Sequence, residues 1–67
     1  MEKISIVVPA YNEEKRIGET LEKYCDFLRN KNDFEIVVVL NACKDDTLKI
    51  VMEKKKKFKE IRYFRYS

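Results

Sequence analysis

The segment Ile36-Val37-Val38-Val39-Leu40 constrains this chain more than any other. It is five consecutive aliphatic residues, four of them β-branched. β-branched side chains suit a pleated strand. A strand with one wet face alternates apolar and polar residues. A strand that is apolar on both faces reads instead as one covered by helices on both sides, as in a parallel sheet. Five residues fall far short of the ~18–20 needed to cross a bilayer, and no longer apolar run occurs. The pattern predicts a strand over 34–40, with 30–33 as the turn before it.

Two further strands and two helices follow from the same kind of reading. Ile4-Ser5-Ile6-Val7-Val8 forms a strand stopped by Pro9, which has no N–H for a ladder. Asn12 is a good helix N-cap, and Glu13 and Glu14 suit the positive end of the helix it would start. Ile17, Leu21, Tyr24, Cys25 and Leu28 then recur at helical period to about residue 29, with Glu19 and Lys23 as an i,i+4 pair outside. Asp45 and Asp46 cap a second helix that turns Leu48, Val51 and Met52 inward and ends at lysines 54–57. Residues 61–66 read as a third strand. The order β-α-β-α-β, with crossovers of this length, implies parallel strands and right-handed connections. The expected fold is therefore α/β: the βαβαβ half of a doubly wound, Rossmann-like sheet of three parallel strands.

Length places this unit as one domain or part of one, since a domain takes roughly 100–200 residues. A chain of 67 residues buries only about 60% of its unfolded surface and is marginal by itself. Grouped aliphatic and aromatic residues argue against disorder. The start shows no secretory signal, and Cys25 and Cys43, with no histidine in the chain, are too few for a disulfide scaffold or a metal cluster. Free thiols in the reducing cytoplasm are the expectation, with Cys25 on the apolar stripe and Cys43 a small buried filler.

In a parallel sheet the carboxyl ends of all strands share one rim, and ligands bind there. That rim would carry Pro9-Ala10-Tyr11-Asn12-Glu13, then Asn41-Ala42-Cys43-Lys44-Asp45, then Ser67. A loop between a strand end and a helix start offers backbone N–H groups and a partial positive charge to an anion.

The strand end Val7-Val8-Pro9-Ala10-Tyr11-Asn12-Glu13-Glu14, a helix, and a second strand with an Asp-containing turn resemble the start of the family-2 glycosyltransferases. Lys15-Arg16-Ile17 and Thr20-Leu21 look most like members that load glucose or mannose onto polyprenyl phosphate. The resemblance implies a glycosyltransferase A-type nucleotide-binding part of a larger catalytic domain, and a nucleoside-diphosphate sugar as donor. Pro9, Ala10 and Tyr11 would line the nucleoside pocket, and Glu13 would hold the base or ribose. The second motif departs from the family pattern Val-Val-Asp-Asp-Gly-Ser-x-Asp-x-Thr. Leu40 and Asn41 replace the two leading aspartates, while Asp45 and Thr47 match later positions. Asn41 keeps an acceptor oxygen for a base N–H and adds a donor. The resemblance also implies Mg2+ or Mn2+ on the diphosphate, but its Asp-x-Asp ligands and the catalytic base match nothing in this chain. Transfer by the 67 residues alone is therefore not expected.

Each of these residues also has a plainer reading. Glu13 and Glu14 would suit the first turn of any helix, Tyr11 could cover the sheet edge, and Asp45-Asp46 fits a cap better than a cation site. Residues 53–65 hold seven basic and two acidic side chains, a local balance of +5 within a chain of net charge +3. A solvated helix end explains that cluster first, and a peripheral contact with the cytoplasmic membrane surface, near a lipid-phosphate acceptor, second. Nucleic acid comes last of the three. The rival to the glycosyltransferase reading is a non-catalytic α/β module that binds nucleic acid or a partner through this basic face. An exposed edge on the first strand would also favour self-association.

Overall fold

The computed structural model describes residues 3–29, 33–41 and 44–66. The expected order is found: β1 (Ile4–Ala10), α1 (Ile17–Leu28), β2 (Phe34–Asn41), α2 (Thr47–Lys57) and β3 (Ile61–Tyr66). The three strands form one sheet in the order β1-β2-β3, with both pairs parallel. Of the expected turn over 30–33, residues 30–32 lie outside the described residues, as do Ala42, Cys43 and Ser67.

β1 continues through Pro9, which pairs in register with Val39. It is an outer strand, where a proline can turn its missing N–H to the open side. The expected stop at Pro9 is therefore two residues early.

The core lies on one face of the sheet. Ile36, Val38 and Leu40 of β2, Ala10 of β1 and Ile61 of β3 are buried with Ile17, Leu21, Cys25, Leu28 and Val51 of the helices. Burial along β2 alternates, although its sequence does not. Two successive right-handed crossovers that step the same way across a sheet put both helices on the same side. The other face carries Val7 and Pro9, Val37 and Val39, and Phe64, with Val7 and Phe64 exposed. The expectation that β2 is covered by helices on both sides is thus met on one side only within this chain.

The helices fit closely. Gly18 faces α2: a Cβ there would stand 3.2 Å from Lys54 Cε and 3.3 Å from Ile50 Cγ2. Lys54 forms a hydrogen-bonded ion pair with Glu22 across this seam. Tyr24, expected inward, is at the margin of the stripe and partly exposed. Met52, also expected inward, is exposed: the buried line of α2 runs through Thr47 and Val51, and Met52 lies about 100° further round the helix.

Candidate functional site: two cross-linked loops on the strand-end rim

The parallel register sets Ala10 against Leu40 and Asn41 against Tyr66, so the carboxyl ends of all three strands share one rim. The bends after β1 and β2 are neighbours on it.

Asn12 does not cap α1. Its φ of 51° puts it in the left-handed region, which asparagine tolerates better than most residues. Its Oδ1 accepts the Lys44 N–H of the neighbouring loop at 2.8 Å. After it the chain makes a separate turn, in which the Arg16 and Ile17 N–H groups donate to the Glu13 carbonyl at 2.9 and 2.8 Å. The helix proper begins only at Ile17.

The second loop answers in kind. The Glu13 N–H donates to Thr47 Oγ1 at 2.8 Å, and the Glu14 N–H to Asp45 Oδ2 at 3.2 Å. Asp45 Oδ1 accepts both the N–H of Thr47, at 3.0 Å, and its hydroxyl. The Glu14 carboxylate reaches the Asp46 N–H at 3.5 Å. Asp45, rather than Asp46, is thus the side chain bonded at the start of α2. Desolvation pushes the Asp45 carboxyl up, but the bonds from Thr47 and Glu14 outweigh it and hold the group below its ordinary value.

These bonds correct one expectation. The Glu13 and Glu14 N–H groups already serve Thr47 and Asp45, so they do not form a cradle for an anion.

The predicted site residues fall in different settings. Tyr11 is exposed at the end of β1 and Asn41 at the end of β2, on the same rim. Ala10 is buried beneath the helices, and Pro9 lies one step down the open face. Glu13 lies in the adjoining turn, with Arg16 Nη2 at 2.7 Å from Oε1. A cavity of 270 Å3 is lined by Asn12, Glu13, Glu14, Lys15, Arg16 and Asp45. Small-molecule pockets usually span ~300–1,000 Å3.

Tyr66, which nothing in the sequence marks as a rim residue, has an exposed ring and pairs in register with Asn41. Asp45 and Thr47 match the family motif in the sequence, but their bonding to the first loop is not read from it. The Asp-x-Thr spacing before a helix was the available signal for that bonding.

Among the described residues, no group of three or more His, Cys, Asp or Glu could hold a metal ion. Both oxygens of Asp45 already accept N–H or O–H bonds. These residues do not suit Mg2+ or Mn2+. Part of the basic cluster is engaged within the chain. Lys54 pairs with Glu22, Lys55 Nζ donates to the Ile61 carbonyl at 3.3 Å, and Lys57 lies 3.9 Å from Glu22 and 5.2 Å from the Phe58 ring centre.

An open parallel α/β sheet whose strand ends share one rim is consistent with half of a Rossmann-like, glycosyltransferase A-type fold. The sequence profile of glycosyl transferase family 2 matches residues 5–67, and the chain belongs to that family. It is 41% identical over 64 residues to a dolichyl-phosphate beta-glucosyltransferase of Trichomonas vaginalis, covering 87% of this chain and 20% of that protein. It is 38% identical over 56 residues to the human dolichyl-phosphate beta-glucosyltransferase, covering 75% of this chain and 17% of that protein. A poly(ribitol-phosphate) beta-glucosyltransferase of Bacillus spizizenii is 39% identical over 59 residues, covering 88% of this chain and 9% of that protein. The chain thus spans at most a fifth of the length of these relatives. No solved structure matches it.

Proposed function

We propose that this chain is the donor-binding part of a glycosyltransferase that moves a sugar from a nucleoside-diphosphate sugar to an acceptor. The observation that carries this reading is the side-by-side placement of the β1 and β2 ends, with Tyr11 and Asn41 exposed on one rim. Tyr11 offers a ring for stacking on the base, and Asn41 an amide that both accepts and donates. Glu13 supplies a carboxylate towards base or ribose, while Pro9 contributes shape to the rim and Ala10 supports it from the core.

Because the N–H groups of Glu13 and Glu14 are engaged, this rim recognises the nucleoside end of the donor. The diphosphate, its divalent metal and the catalytic base belong to residues outside this chain. Two of the relatives are named for dolichyl phosphate and one for poly(ribitol phosphate); a polyprenyl phosphate, met at the cytoplasmic membrane surface, is the acceptor proposed. Among the described residues no helix is long and apolar enough to cross a membrane.

Calorimetric titration with UDP and GDP tests the reading. Binding that weakens in Tyr11→Ala, Glu13→Ala and Asn41→Ala supports it. Absence of binding to either, or binding indifferent to all three substitutions, contradicts it. Salt-sensitive binding to single-stranded or duplex nucleic acid, lost when lysines 54–57 are neutralised, would favour the rival module instead.

A further inference from the structure

We infer that Thr47, acting with Asp45, is a positioning residue for donor binding. Thr47 is fully buried. Its hydroxyl receives the Glu13 N–H and donates to Asp45, whose second oxygen receives the Glu14 N–H. In the opposite direction, side chains of the first loop receive the Lys44 and Asp46 N–H groups of the second. Each loop thus donates backbone N–H groups to the other's side chains.

The consequence is preorganisation. An isolated rim loop would sample many conformations, and ordering it on binding would reduce affinity. Cross-linking fixes Tyr11 and Glu13 relative to the β2 end before a ligand arrives. Asn12 can take part because its left-handed backbone aims Oδ1 across the gap. Thr47 Oγ1 both accepts and donates, which valine, of the same shape, cannot do.

This inference rests on the donor-binding reading, and its test separates the two. UDP and GDP titrations of the 67-residue chain and its Thr47→Ser and Thr47→Val variants are read beside amide hydrogen exchange at Glu13. Thr47→Val is expected to bind about 10-fold more weakly, the cost of one partly buried N–H left without its partner. Glu13 would then lose protection while Ile36 and Val38 keep theirs. Thr47→Ser, which retains the hydroxyl, is expected to restore both affinity and protection. Should Thr47→Val not fold, Asp45→Asn takes its place, with weaker nucleotide binding and faster Glu14 exchange expected. A wild-type chain that binds while the folded variant binds equally well overturns the positioning role alone. A wild-type chain that binds neither nucleotide overturns the donor-binding reading and this inference with it.

Discussion

Single side chains in this chain act mostly through what they join. Glu22 lies in the seam between the helices, and its carboxyl is held below its ordinary value of 4.5 by the hydrogen bond from Lys54 and the charges of Lys54 and Lys57. Glu35 is lowered by the Ser5 hydroxyl, against desolvation, and by Lys3 and Arg62. A carboxyl lowered by folding adds stability above its unfolded pKa and loses it as pH falls through the folded value. The melting temperature should therefore be level near neutrality and fall as pH drops below about 4.5, the range set by ordinary carboxyl values. Thermal melts across pH 3–7 check this, and Glu22→Gln should flatten part of the fall; a melt unchanged by acid would contradict the assignment. Burial pushes the Cys25 thiol up to about 11, so it stays protonated and inert at neutral pH. Its alkylation should follow unfolding, as peptide mass analysis would show.

Among the elements, α1 depends on its buried stripe rather than on capping. No side chain caps it, and its Glu19–Lys23 pair, at 3.2 Å, is largely in water. Such pairs contribute ~0.5 kcal/mol or less. Leu21, fully buried, is different: truncation of such a residue costs ~2–5 kcal/mol, a large share of the stability of so small a domain. Leu21→Ala should lower the melting temperature by ~10 °C or more, and Glu19→Gln by only a degree or two. Equal shifts in differential scanning fluorimetry would contradict this. Strand order, helix stripe and the parallel arrangement were legible because apolar period and crossover length are local facts. The start of α1 was not, because Asn12 bonds to Lys44, 32 positions along the chain. Asparagine suits both a cap and a left-handed turn, and only the neighbouring loop decides between them. In the same way, β2 is apolar on both faces, which signals cover on both faces without saying that these two helices supply only one. The rim itself could be read from strand direction; the engagement of its N–H groups by Thr47 and Asp45 could not.

The whole molecule is a two-layer unit with surfaces left open. β1 and β3 each pair only with β2 in the described sheet, and one sheet face exposes Val7 and Phe64. Open edges and uncovered apolar faces promote association. The isolated chain should sediment as larger species as its concentration rises, and analytical ultracentrifugation would detect this; a monomer with a sharp, concentration-independent melt would count against it. Its place in family 2 is a statement about the chain as a unit, whereas the role proposed for it depends on the rim. Mapping backbone amide shifts during titration with UDP and GDP tests that role most directly. Saturable shifts clustered at Tyr11, Glu13 and Asn41 are expected. Shifts confined to the lysine-rich end of α2, or none at all, would contradict it.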